Sequence, residues 1–152
     1  MATTESNPPL ELGRDARDSI TAALDQLEAR LNEGQDQPFG EEYAEALNEH
    51  LRRLHAQFRI HRAGDLNSDA DVAALPPELI EVYRRLQAEH PVLVGQLDRL
   101  TRSVESMPDR PPEDKDVFVL CVRELIATLR RNLAEEDRLL YLALWHDTGG
   151  ES

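Results

Sequence analysis

The stretch LIEVYRRLQAEHPVLVGQLDRLTRSV, residues Leu79 to Val104, decides the fold. Leu79, Tyr83, Leu86, His90, Leu93, Leu97, Leu100 and Val104 advance in steps of four and three, which keeps all eight on one face of an α-helix. Seven of them are apolar or aromatic, and His90 interrupts the series at its middle. A histidine within a buried face must hydrogen-bond, pair with a charge or bind a metal, because unsatisfied polar burial is costly. A second stretch carries the same interruption: Phe118, Val122, Leu125 and Leu129 are followed by Asn132 and Glu136, then by Leu140 and Ala143. Two helices with polar residues midway along their apolar faces predict a polar middle layer.

Breaker clusters divide the chain into four helical segments. The first is expected from about Arg14 to Asn32, on the stripe Ile20, Leu24, Leu27 and Leu31, and Gly34, Pro38 and Gly40 stop it. The second opens with Glu41 and Glu42, favourable beside the positive end of a helix dipole. It runs through Tyr43, Leu47, Leu51, Leu54 and Phe58 to about Arg62, with Gly64 as a C-terminal cap. A polar linker, Asp65 to Ala74, leads to Pro76 and Pro77, which suit a first helical turn, and the third helix extends to about Ser106. Met107 to Pro112 breaks it. The fourth helix is expected from about Asp114 to His146. Within it, Val117 to Val122 alone could be a strand, but helical periodicity follows and no second strand exists to pair with. The expected organisation is a flexible segment 1–12, a helical domain 13–147 and a flexible tail 148–152. Helices of this length predict an all-α, antiparallel, up-down-up-down four-helix bundle.

Composition bounds the function. The chain has 152 residues, enough for one domain with a sizeable core. Thirty acids against 17 bases give a net charge of −13, which repels nucleic acid and anionic lipid and so argues against both as partners. The pairs Arg52-Arg53, Arg84-Arg85 and Arg130-Arg131 lie among acids and read as solvated faces. The longest apolar run, Val117 to Val122, is far too short to span a bilayer, and the first residues lack a signal-peptide pattern, so a cytoplasmic location is expected. All bases except Lys115 are arginine, which suggests a high-GC bacterial coding composition. Cys121 is the single cysteine, so no internal disulfide forms, and it reads as a buried small residue rather than a nucleophile. His50 and His55 read as surface histidines on the flanks of the second helix, and His146 as a dipole partner near the end of the fourth.

The two halves can be set in register. Arg17, followed by Ile20, Leu24 and Leu27, occupies the position that His90 holds before Leu93, Leu97 and Leu100. Gln57 precedes His61 at the offset by which Asn132 precedes Glu136. The inward layer is therefore expected to hold Arg17, Gln57, His61, His90, Asn132 and Glu136.

On these residues the chain resembles the hemerythrin-like, or HHE cation-binding, family over about residues 14–146. QAEHPVLVGQLDRL, with His90, is similar to the family's third helix. NLAEEDRLLYLAL, from Asn132 to Leu144, is similar to the fourth, and QFRIH, from Gln57 to His61, to the second. The resemblance implies a metal layer built from histidine on the first and third helices and His-x-x-x-Glu on the second and fourth. Here only His90 and Glu136 keep the family residue. Arg17, Gln57, His61 and Asn132 replace the others. Arg17 cannot ligate and brings a permanent positive charge, so a full di-iron centre is not expected.

Three readings follow. The leading one is a hydrogen-bonded polar layer left after ligand loss, with Arg17 paired to Glu136, no cofactor, and a non-enzymatic binding or regulatory role. The alternative is a single non-haem iron on His61, His90 and Glu136, with Arg17 turned away, for sensing oxygen, nitric oxide or peroxide or for iron handling. The third is a helical assembly element. Val117, Val119, Leu120, Leu142 and Leu144 give the fourth helix more apolar surface than one core stripe requires, which predicts a protein partner or a homodimer through it. No phosphate loop, Gly-x-Ser-x-Gly or Cys-x-x-Cys motif is present to suggest an enzyme.

Overall fold

In a computed structural model of the chain, residues 8–61 and 75–149 are described, with side chains from 15 to 61 and from 75 to 143. Among the described residues four α-helices form: α1 (Pro8–Glu33), α2 (Glu41–Ile60), α3 (Pro77–Ser103) and α4 (Pro112–Gly149). A 3-10 helix (Val104–Asp109) joins the last two. The described residues contain no strand. Helix α1 packs on α2, α2 on α3, α3 on α4 and α4 on α1, so each helix touches two others. No helix among the described residues is long and apolar enough to cross a membrane.

The helix ends follow proline and glycine chemistry. Helix α1 begins at Pro8, six residues before the expected start at Arg14, so residues 8–12 are its first turns and not part of the lead. Proline has its φ set for a first turn and lacks an N–H that would have no partner there. Pro77 fills the same role at the start of α3, and the carbonyl of Pro76 before it accepts from Leu79 N at 2.9 Å and Ile80 N at 3.0 Å. Gly34 follows the end of α1 because a Cβ there would collide with the Tyr43 ring lying across it. Helix α2 stops at Ile60, short of Arg62, and His61 leaves it in an extended conformation (φ −74°, ψ 134°). The expected cap Gly64, the linker 65–74 and the side chains of Leu144 and His146 lie outside the described residues.

The third helix also ends earlier than Ser106. From Val104 the chain tightens into the 3-10 helix, which puts Val104 and Met107, three residues apart, both into the core. With three residues per turn, i and i+3 eclipse, so the tightened geometry suits that pair. Pro91 sits inside α3 without ending it. It has no N–H to donate to the Gln87 carbonyl, and both residues are exposed, so water can take the place of that bond.

Val117 to Val122 is helical. Phe118 and Val122 point inward, while Val117, Leu120 and Cys121 are exposed. Cys121 is therefore not the buried residue expected, because the inward arc of α4 runs through 118, 122, 125 and 129 and turns position 121 outward.

The core is in two parts. The larger cluster holds Ile20, Leu24, Leu27, Leu31, Leu47, Leu51, Leu54, Phe58, Leu93, Leu97, Leu129 and Leu133 among others. The smaller holds Leu75, Leu79, Tyr83, Leu86 and Leu139. On α3 the change from one cluster to the other falls between Leu93 and Leu86, with His90 in the gap. On α4 it falls between Leu133 and Leu139, with Glu136 in the gap. A layer of polar side chains separates the two apolar bodies.

Candidate functional site

Four polar or charged side chains among the described residues are buried, and all belong to this layer: Arg17, His61, Asn132 and Glu136. Glu136, on the inward stripe of α4, is 1% exposed. His61, just past the last turn of α2, meets it across the core with Nε2 2.7 Å from Oε1. An ionised carboxylate only accepts, so the imidazole donates its Nε2–H. A charge-assisted bond of this kind relieves the desolvation that a lone buried carboxylate would suffer.

His90 lies half-buried against the end of α2. Its ring stacks on Phe58, with centroids 4.7 Å apart and planes at 27°, and its Nε2–H donates to the Phe58 carbonyl at 2.7 Å. That carbonyl also accepts from the backbone N–H of His61 at 3.2 Å. The last carbonyls of a helix lack intrahelical donors, so His90 caps the negative end of α2 from a neighbouring helix. The Phe58 ring also neighbours the other histidine, its centroid lying 6.4 Å from that of His61.

Arg17 is buried, but its partner is not the one expected. Its Nε lies 2.5 Å from Oδ1 of Asp137, the neighbour of Glu136, whose side chain is exposed. Glu136 faces His61 instead, one helical position further round α4. The Arg17 contact is ionic without hydrogen-bond alignment, since neither Nε nor Nη1 has an acceptor in bonding geometry. Asn132 donates its Nδ2–H to Oε1 of Glu89 at 3.1 Å. Gln57 is half-buried, and its Oε1 has no hydrogen-bond partner.

Of the three side chains considered for one metal, the fold brings His61 and Glu136 together and turns the Nε2 of His90 onto a backbone carbonyl. Among the described residues no group of three or more His, Cys, Asp or Glu side chains is gathered closely enough to hold a metal ion. The donor set does not fit a di-iron centre either. A guanidinium with an unsatisfied Nη1 occupies the layer, and two of its other members are neutral amides.

Three contributors were invisible as site residues in the sequence: the Phe58 carbonyl and ring, Asp137 and Glu89. Asp137 and Glu89 each adjoin a residue of the inward layer, which is the one signal that could have found them. His50 and His55 are half-buried rather than fully at the surface. Burial, reinforced by Arg53, holds the His50 imidazole below its ordinary value of 6.5.

With protein-family profiles, curated proteins and solved structures alike, comparison of this chain finds no match.

Proposed function

We propose that the chain is a hemerythrin-like, antiparallel up-down-up-down bundle whose metal layer has become a protein-satisfied polar network. In this reading it acts as a non-enzymatic binding or regulatory module of the cytoplasm. Helix direction is supported by the side-chain contacts: along each pair, rising numbers on one helix meet falling numbers on the other. Gln26 bonds Arg53 where Gly34 meets Tyr43, and Asn48 bonds Glu105 where Phe58 meets His90. Arg85 pairs with Glu135 where Glu89 meets Asn132, and Arg17 pairs with Asp137 where Asp25 meets Arg130.

The observation that carries the reading is the use made of His90 and Glu136. These are the two positions that keep the resemblance's ligand types, and each is engaged by the protein itself. His90 bonds the Phe58 carbonyl at 2.7 Å, and Glu136 bonds His61 at the same distance. A metal would have to displace both bonds in the presence of the Arg17 charge, which opposes cation entry.

Untagged protein equilibrated anaerobically with ferrous iron, then desalted, should retain less than about one iron per chain, because sites missing most ligands bind weakly. The quadruple variant Arg17→His, Gln57→His, His61→Glu, Asn132→His rebuilds the family's ligand list and should retain two. Two tightly held irons in the parent would overturn the proposal. One iron, lost in Glu136→Ala, would favour the single-metal alternative. A folded quadruple variant that stays metal-free would disprove the register drawn for α1 and α2.

A further inference from the structure

At the far end of the molecule, a groove of about 420 Å³ opens between the α1–α2 loop and the start of α4. Its floor is apolar, formed by Leu31, Phe39, Tyr43 and Val119, and its rim carries Lys115 and Asp116 side by side. Leu120 stands on the edge of the same groove at 59% exposure, and Val117, one turn earlier on α4, is 58% exposed. The core does not use either side chain, since Phe118 and Val122 fill the inward positions of those turns.

We infer that this face is a self-association surface, on which a second copy of the chain docks about a two-fold axis with each Leu120 entering the other copy's groove. A two-fold interface must be self-complementary, because each patch meets its own image. This patch meets that requirement twice. It carries an apolar projection beside an apolar recess, and a cation beside an anion. Lys115 is the only lysine of the chain, and across the axis it would face Asp116 of the other copy while Asp116 faces the other Lys115. Opposed pairs of this kind fix register and orientation at an interface.

The remaining parts of the sequence cannot cover the groove. Residues 1–7 join α1 at Pro8, about 35 Å along the helix from Leu31 at 1.5 Å per residue, while seven extended residues span at most about 25 Å. Residues 62–74 run from His61, about 27 Å along α2 from Tyr43, to Leu75, about 20 Å further from the groove along α3, and thirteen residues cannot reach the groove and return over those spans. Residues 150–152 follow the opposite end of α4. The inference goes beyond the polar-layer reading and does not depend on it, because Leu120 lies about 24 Å along α4 from Glu136.

Sedimentation of the full chain over a concentration series tests it. A reversible dimer is expected, and Leu120→Glu should raise its dissociation constant by about 30-fold or more, the loss typical of a central apolar anchor. Lys115→Asp should weaken association by setting two acids opposite each other, and Lys115→Asp combined with Asp116→Lys should restore it. Tyr141→Ser, at an exposed aromatic elsewhere on α4, should leave it unchanged. Cys121 adjoins Leu120 and is exposed, so a short bis-maleimide should join two copies of the parent and fail to join Leu120→Glu. A strict monomer at up to about 1 mM, where even weak contacts form, would overturn the inference. So would a dimer indifferent to Leu120→Glu, one that the double charge swap does not restore, or one that Tyr141→Ser dissociates.

Discussion

His90 caps α2 through Phe58, taking both the carbonyl at 2.7 Å and the face of the ring at 4.7 Å between centroids. One side chain on α3 thus holds the terminus of another helix. His90→Ala should cost about 1–3 kcal/mol, the range for leaving a buried polar partner unmade. The distinguishing readout is local: amide exchange should quicken in the last turn of α2 more than at Leu47 or Leu51. Uniform acceleration along the helix would mean the bond does not act as a cap.

Glu136 and Asn132 sit one turn apart on α4 yet should differ in cost. Glu136→Ala removes the acceptor of a buried imidazole and should destabilise the fold by about 2–3 kcal/mol in urea unfolding. Asn132→Ala removes a neutral donor from half-buried Glu89 and should cost about 1 kcal/mol. Equal small losses would show that His61 finds another partner without difficulty.

Arg17 presents the reverse case. Its guanidinium is buried, with an exposed carboxylate on one side and two nitrogens lacking aligned acceptors. Replacing a poorly satisfied buried ion by an apolar chain of similar shape is often neutral or stabilising. Arg17→Met should match or exceed the stability of the parent, whereas Asp137→Ala, which strands the cation, should cost about 1–3 kcal/mol. If Arg17→Met loses more than about 1 kcal/mol, the guanidinium is better satisfied than its geometry indicates.

His50 gives the fold a pH dependence with a definite sign. Burial lowers its folded pKa, with Arg53 and Arg30 adding to the effect and Glu49 and Glu33 opposing it. The unfolded chain therefore binds this proton at a higher pH than the folded chain does. Stability contributed at neutral pH falls as pH drops through 6.5, and the fall is complete below the folded value. His50→Asn should flatten the stability profile in that acidic window and leave it unchanged at pH 8. A profile unaltered by the substitution would assign the dependence to other groups.

What could be read from the sequence was set by periodicity. Steps of three and four from Leu79 to Val104 and from Phe118 to Leu140 define both the helices and their inward faces. Of the six positions expected inward, Arg17, Asn132 and Glu136 are buried within helices, His61 is buried past the end of α2, and Gln57 and His90 are half-buried. Pairing within the layer was beyond its reach. An arginine is long enough to reach either Glu136 or Asp137, and the choice depends on His61 swinging inward where α2 ends. The acceptor for His90 is a backbone carbonyl, and no residue type marks one. Cys121 could have been placed correctly, since it lies about 100° of helical rotation from Val122 and outside the arc of the stripe.

Arg130 on α4 reaches two acids on α1, Asp25 at 2.7 Å and Glu28 at 3.0 Å, and this holds Glu28 below its usual carboxylate range. Those links join positions 105 and 102 residues apart, while the other three helix pairs are consecutive in the chain. Closing a loop of that size costs more entropy than forming a hairpin of neighbours. The α1–α4 seam is therefore the clasp of a folded belt, the contact whose closure costs the most chain entropy. Its exposed ion pairs weaken with added salt. Opening it would bare Ile20, Leu24 and Leu129, and because the Arg17–Asp137 pair crosses the same seam, one edge of the polar layer would open with it.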